Sequence, residues 1–244
     1  MIDPRHRFLR FLLLAAAVLA FGSTARAGGE RVLEHRQPAA GIRSLSLDTG
    51  VGDVTVVAGE GEEIVARVTL KPRRGGFPFF GSSSKGRRQV EEARIEARRS
   101  GDELELGIAG PEKDRRFEER WEVTVPARLS LDLDVGVGDV KISGVSGGVT
   151  LDSGVGDVEM EVSGGDLTID AGVGDVNISI PVGAVGTVDL DAGVGDCSIT
   201  TPEGVIRGKS LGCEASWKGP GTASIEVDSG VGDVEVRCAS GEAG

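Results

Sequence analysis

The chain has 244 residues and is acidic, rich in glycine and poor in aromatic side chains. Its 27 Lys and Arg residues are outnumbered by 39 Asp and Glu residues, and a formal net charge of −12 disfavours phosphate backbones, so no nucleic-acid partner is expected. Aromatic residues form 4% of the chain, which favours a narrow aliphatic core. Only one histidine, His35, follows residue 27, which excludes histidine-cluster metal sites and imidazole networks there.

Residues 1–27 have the pattern of a secretory signal peptide. Basic residues open the segment, an apolar run follows over residues 11–21, and Ala25-Arg26-Ala27 fits a cleavage site. A membrane-spanning helix needs about 20 apolar residues, so this run is too short to span. We therefore expect an exported protein, periplasmic, at the cell surface or secreted, with no transmembrane segment in the mature chain.

The mature chain is predicted to form one domain over residues 47–240, with a lead-in at 28–46 and a tail at 241–244. Residues 71–89 contain six basic residues, three phenylalanines and no acid, which predicts a solvated basic loop within an irregular section. The charged stretch 89–99 is predicted as a strand, because no helix caps accompany it.

One short repeated pattern, [LIV]-D-x-G-V-G-D-[VC], organises the rest of the chain. Its copies begin at Leu47, Leu133, Leu151, Ile169, Leu190 and Val227. From Leu133 to Leu190 the copies recur at intervals of roughly 18 to 21 residues, and a degenerate copy at Gly212 divides the last gap. A period near 18 is typical of one turn of a solenoid built from short strands.

Each copy predicts two strands that meet at a glycine corner. Apolar and polar residues alternate before and after GVGD, as in Leu167 and Ile169 before one corner and Val176 and Ile178 after it. The second glycine supplies a positive φ, the aspartate accepts hydrogen bonds from backbone amides, and the valine between the glycines is expected to point inward. The predicted structural corner residues are Gly52, Asp53, Gly138, Asp139, Gly156, Asp157, Gly174, Asp175, Gly195, Asp196, Gly232 and Asp233. The fold class is all-β, a single-stranded parallel β-solenoid (β-helix) with turns of about 18 residues.

The same residues leave two chemical alternatives to a purely structural corner. The corner is similar to calcium-binding β-rolls, in which Asp139, Asp157 and Asp175 would be ligands, but here the aspartate follows its glycine directly and the motif recurs only once per predicted turn. A calcium-dependent module stays open as an alternative, and no other cofactor is expected. A polysaccharide-processing β-helix enzyme is disfavoured, because catalysis requires carboxylates in different environments whereas these repeat in nearly identical ones.

Three cysteines remain in a chain that is expected to reach an oxidising compartment. Cys197 and Cys213 lie near the markers Gly195 and Gly212 of what the repeat predicts to be adjacent turns. A disulfide between them is predicted, with Cys238 apart, although their offsets from the markers differ by one residue.

The repeated [LIV]-D-x-G-V-G-D-V pattern behind a signal peptide resembles the bacterial putative-adhesin family of β-strand-repeat domains of unknown function. The resemblance covers roughly residues 40–240 and implies a β-helical domain at the cell envelope. The expected function is a non-catalytic structural or adhesive module that presents a rigid acidic surface to an envelope or surface protein or glycan. Because the last repeat ends near Gly244, an open solenoid end and self-association through it are also expected.

Overall fold

The computed structural model of the chain describes residues 24–25, 29–73, 84–109, 115–208 and 212–240. All of the predicted signal peptide except residues 24–25 lies outside the described residues, and so does the predicted tail. In the part of the chain that is described, no helix has the length and apolar character needed to cross a bilayer. This part is all-β, with one α-helix and one short 3-10 turn.

The elements fall into four groups along the chain. Before the helix come β1 (Thr24–Ala25), β2 (Arg31–Pro38), β3 (Ser44–Val51), β4 (Val54–Gly59) and β5 (Glu63–Pro72). The helix α1 (Ser84–Glu92) is followed by β6 (Ile95–Ser100), β7 (Glu103–Ile108) and β8 (Phe117–Pro126). Next come β9 (Ser130–Val137), β10 (Val140–Ser143), β11 (Val149–Val155), β12 (Val158–Glu161), β13 (Leu167–Val173) and β14 (Val176–Pro181). After a 3-10 turn (Val182–Ala184) come β15 (Val185–Val194), β16 (Cys197–Thr201), β17 (Gly204–Arg207), β18 (Cys213–Lys218), β19 (Ala223–Val231) and β20 (Val234–Ala239).

The strands of the described residues form two mixed sheets around one apolar core. Sheet A has eleven strands in the order β1-β2-β5-β8-β4-β10-β12-β14-β20-β16-β17. Sheet B has nine strands in the order β18-β15-β19-β13-β11-β9-β3-β7-β6. Inward Leu, Ile and Val side chains of both sheets belong to the same buried cluster. The buried cluster is mainly aliphatic, as the composition predicts, and it includes Trp121 and Phe117.

The repeats stack in parallel and in register. Each copy contributes one strand to sheet B, passes through its GVGD corner, and contributes the next strand to sheet A. Strands β9, β11 and β13 pair so that Leu133, Leu151 and Ile169 are aligned, which matches the regular spacing of these copies in the sequence. We call one copy with its two strands a level. Neighbouring levels lie roughly 4.8 Å apart, so the apolar side chains of each level pack on those of the next and extend the core.

The order of the stacked copies differs from their order in the sequence. The last copy, on β19 and β20, lies between the copy on β13 and β14 and the copy on β15 and β16. Gly212 marks no corner of the stack, since β18 runs antiparallel to β15. The prediction that Gly212 marks a degenerate copy is therefore wrong. Because both sheets contain antiparallel strands, the uniformly parallel solenoid expected from the repeat is not confirmed.

The end of the stack beyond β15 and β16 is covered by antiparallel strands. Strand β17 pairs with β16 and strand β18 pairs with β15, so these two strands form the edges of sheets A and B at this end. The last turn is instead enclosed between two other turns. The expectation that this turn forms an open end is wrong, and the self-association argued from it loses its physical basis.

The predicted basic loop is in part regular structure. Strand β5 includes Lys71, and α1 occupies the other end of the 71–89 segment, while residues 74–83 lie outside the described residues. The guanidinium group of Arg31 contacts the carbonyl oxygens of Val90, Glu91 and Ala93 at 3.1, 2.6 and 2.8 Å. A cation at this position complements the carboxyl end of the helix, and it comes from outside the helix's own sequence. The expected strand over 89–99 begins only at Ile95.

Candidate functional site

The six GVGD corners form one line along the edge where the two sheets meet. In each pair of neighbouring levels, the backbone N–H of one corner aspartate donates to the Oδ1 atom of the corner aspartate next to it in the stack. This ladder runs through Asp53, Asp139, Asp157, Asp175, Asp233 and Asp196, with N to O distances of 3.5, 3.0, 3.0, 2.9 and 2.9 Å. At its first level, Arg120 forms an ion pair with Asp53 at 3.2 Å. The predicted amide-accepting role of the aspartates is present at every step of this corner ladder.

The second glycine of each corner is required by both φ and space. Gly156 has a φ of +149°, a region that side chains with a Cβ rarely adopt. A Cβ atom built there would lie 2.0 Å from the carbonyl oxygen of Gly138 in the neighbouring corner. The corners therefore approach each other through bare backbone, which lets successive levels stack closely enough for the ladder to form.

The valines between the glycines are exposed, so the expectation that they point inward is wrong. Val137, Val155, Val173, Val231 and Val194 are 46, 48, 48, 46 and 62% exposed. They are the last residues of the sheet B strands, beyond the alternation that buries Leu133 and Val135. With the half-buried Val51, they form a valine row along the corner edge.

A second line of aspartates lies on the outer face of sheet B. The aspartates that follow the first residue of each copy pair level by level in the order Asp48, Asp134, Asp152, Asp170, Asp228 and Asp191. None of the six strands that carry this aspartate row, namely β3, β9, β11, β13, β19 and β15, contains a lysine or arginine. Partial burial raises the pKa of Asp134, and the neighbouring carboxylates of Asp48 and Asp152 raise it further. The row is thus a surface on which negative charge is crowded.

A buried polar cluster closes the core beneath the first corner. Glu119 is 2% exposed, accepts hydrogen bonds from Trp121 Nε1 at 2.9 Å and Thr49 Oγ1 at 3.4 Å, and forms an ion pair with Arg115 at 3.0 Å. Burial raises the pKa of Glu119 although these contacts favour its charged form. The sequence gives no sign of this cluster, because Glu119 stands in a strand that also carries the outward glutamates Glu118 and Glu122.

The cysteines tie the sheets together at the other end of the stack. Cys197 on β16 and Cys213 on β18 form a disulfide with a Cα to Cα distance of 5.8 Å. These are the two residues singled out from the sequence, but they do not occupy equivalent positions of adjacent turns. Cys213 lies on an antiparallel strand, so their different offsets present no obstacle. Cys238 is a buried free thiol whose pKa is raised by burial.

The calcium candidates do not converge on a common point. In the described ranges, no group of three or more His, Cys, Asp or Glu side chains is arranged to hold a metal ion. Asp139, Asp157 and Asp175 each use Oδ1 to accept the amide of the next corner. The ladder thus uses backbone amides as the partners of these carboxylates.

The geometry defines a class of all-β protein in which repeated glycine-aspartate corners stack into a ladder between two sheets. Residues 127–237 match the model of the family described as Toastrack DUF4097. A crystal structure of a putative cell adhesion protein from Clostridium sporogenes has a TM-score of 0.54 with 18% identity, covering 85% of this chain and 100% of that one. One of a putative adhesin from Bacteroides fragilis has a TM-score of 0.38 with 14% identity, covering 84% of this chain and 96% of that one. No curated protein matches the chain.

The family match over residues 127–237 shows similarity to a family of unknown function. The likeness to the Clostridium sporogenes protein shows the fold alone, because the identity is 18%.

Proposed function

We propose that this chain is an exported, non-catalytic envelope or surface module, in which a stiff β-solenoid stack presents the acidic outer face of sheet B to a cationic partner. The observation that carries this proposal is the aspartate row, six carboxylates in register on strands that contain no lysine or arginine. The pattern of residues 1–27 supports export, and the resemblance to adhesins supports an envelope or surface protein or glycan as the class of partner.

Repulsion between the carboxylates on this face destabilises the protein, and the fold does not require charged residues at these positions. Two unit charges roughly 4.8 Å apart repel by about 0.9 kcal/mol in water and about 3.5 kcal/mol at an effective dielectric constant of 20. A neutral polar residue at the same outward positions would avoid this repulsion and leave the buried alternation unchanged. A cationic partner would relieve the repulsion and gain affinity from it, with attraction that weakens as salt is added.

Sheet A provides a built-in comparison, because its outer face carries mixed charge. Lys141 and Glu159 pair across neighbouring levels at 2.7 Å, and Arg237 pairs with Glu235 at 2.8 Å. The two faces of one stack thus differ in their charge pattern although they share the same repeat. This difference favours binding of the partner to the outer face of sheet B alone over a protein whose whole surface is uniformly acidic.

The test measures binding of the full chain to a short polylysine peptide by titration at low salt. The variant Asp134→Asn, Asp152→Asn, Asp170→Asn removes three charges from the row and keeps side-chain size. If each lost ion pair contributes roughly 0.2 to 1 kcal/mol, affinity should fall roughly 3-fold to 150-fold. The control Glu122→Gln, Glu161→Gln, Glu203→Gln removes three charges elsewhere and should bind like the wild type. Equal losses in the two variants would show that only net charge matters and would refute the proposed face.

A further inference from the structure

The valine row is an exposed apolar feature that the acidic-face proposal does not explain. Seven large apolar side chains are exposed in the described part of the chain, and five of them belong to this row. Single exposed apolar residues are ordinary, whereas a continuous line of them marks an interaction surface. Because consecutive levels lie roughly 4.8 Å apart, the six valines form a line about 24 Å long.

Carboxylates border the valine row on both sides. In every copy, the residue of the aspartate row comes shortly before the valine, and the corner aspartate comes shortly after it. All six copies are in register. The corner aspartates beside the five exposed valines are solvent-accessible and carry negative charge along the same edge. The edge therefore presents an apolar line between two lines of negative charge.

This charge pattern restricts which partners could bind to the apolar edge. A second copy of the chain would bring its own aspartate lines against these, and repulsion would oppose the contact. An anionic lipid surface would be repelled in the same way. A segment with an apolar stripe flanked by lysine and arginine satisfies both the valines and the carboxylates.

The spacing of the row indicates the conformation of that segment. An α-helix presents one face about every 5.4 Å along its axis, close to the spacing of roughly 4.8 Å between the valines. An extended strand repeats a face roughly every 6.7 Å and falls out of step within a few residues. About 16 residues of helix match the row's length of about 24 Å.

We infer that the corner edge is a docking surface for a cationic amphipathic helix of about 16 residues, whose apolar stripe lies on the valine row and whose basic flanks meet the two aspartate lines. The inference rests on the proposed acidic-face function and adds the partner's shape. It also adds specificity, because long-range charge attraction alone cannot distinguish an amphipathic cation from any other cation of equal charge.

The experiment compares two peptides of equal length and identical Leu and Lys composition, one with all leucines on one helical face and one with the leucines dispersed. Wild-type protein should bind the first roughly 10-fold more tightly than the second in moderate salt, which excludes net charge as the cause. Val137→Thr, Val155→Thr, Val173→Thr keeps β-branched side chains and should abolish most of that preference. Val57→Thr, Val205→Thr, which changes exposed valines outside the row, should retain it.

A second variant is expected to increase binding, so that loss of binding in the threonine variant cannot be attributed to a folding defect alone. Val137→Leu, Val155→Leu, Val173→Leu enlarges the apolar line and should strengthen binding of the amphipathic peptide. Equal binding of the two peptides by wild type would overturn the helix inference and leave the acidic-face function standing. Binding of neither peptide would overturn both. Light scattering that shows a dimer dispersed by the threonine variant would assign the row to a second copy and also overturn the inference.

Discussion

Substituting Gly156 by alanine tests whether the corners need bare backbone. The new Cβ would lie 2.0 Å from the Gly138 carbonyl oxygen and 2.5 Å from its carbon, in a backbone conformation with a φ of +149°. Both contacted atoms are backbone atoms in the neighbouring corner, so no side chain can rotate away to make room. The levels must separate locally, and this displaces the ladder hydrogen bond between Asp139 and Asp157 as well.

Two separate effects set the expected loss of stability. An unfavourable φ costs on the order of 1 to 3 kcal/mol, and overpacking against a fixed neighbour costs about 1 to 3 kcal/mol more. We therefore expect Gly156→Ala to lower the free energy of unfolding by about 2 to 6 kcal/mol. Such a loss is a large fraction of the total stability of an ordinary domain.

Two other glycines separate these effects. Gly204 has a φ of +151° with nothing within 4 Å of a built Cβ, so Gly204→Ala measures the φ effect alone. Gly164 has open space and no positive φ, so Gly164→Ala should be neutral or slightly stabilising. Urea unfolding should rank the losses as Gly156 above Gly204 above Gly164. A loss at Gly156 no greater than that at Gly204 would refute the close approach of the corners.

Other consequences of the structure can be tested in the same unfolding assay. Asp157→Ala should cost about 1 kcal/mol more than Asp157→Asn, because asparagine keeps an acceptor for the next corner amide. Sodium chloride should raise the melting temperature by screening the aspartate row, and calcium at matched ionic strength should add nothing; a calcium-specific increase would instead support the β-roll alternative. Because burial raises the folded-state pKa of Glu119 above 4.5, the folded state holds this proton more tightly than the unfolded chain. The contribution of Glu119 to the free energy of unfolding should then fall as pH rises from 4.5 through the folded pKa. Glu119→Gln should remove this part of the pH dependence of stability. An unchanged pH dependence in the variant would argue against the buried carboxyl. Replacing Cys197 and Cys213 by serine should lower stability by about 3 kcal/mol, and reductant should then have no further effect.

The local architecture of the repeat was accessible from sequence because it depends on neighbours along the chain. The regular period and the alternating apolar positions predict paired strands in register, and the pairing of Leu133 with Leu151 confirms this. The need for a glycine of positive φ also follows from the motif, and Gly156 has that conformation. These features follow from sterics that act within one or two levels of the stack.

Other features depend on contacts that spacing alone cannot reveal. The last copy lies between two earlier copies because the chain between Leu190 and Val227 turns back through two antiparallel strands. Nothing in the spacing of the copies distinguishes this path from the addition of another level. Val155 keeps the apolar character of a buried strand residue, but the core has ended where it lies. The last turn of helix α1 contains no basic residue; the charge that complements this end comes from Arg31, distant in the chain.

Enclosure of the last turn between earlier ones makes completion of the fold depend on the order of synthesis. Strands β15 and β16 leave the ribosome before β19 and β20, yet the latter pair supplies the level on which the former rest. Until then, the strands on either side of the vacant level have unpaired amides and carbonyls, which are competent to join another chain. Rapid synthesis of the last strands, or a chaperone that shields this gap during folding, would protect the chain from intermolecular exchange. The interval between these two pairs of strands is thus the period in which nascent copies are most vulnerable to misassembly.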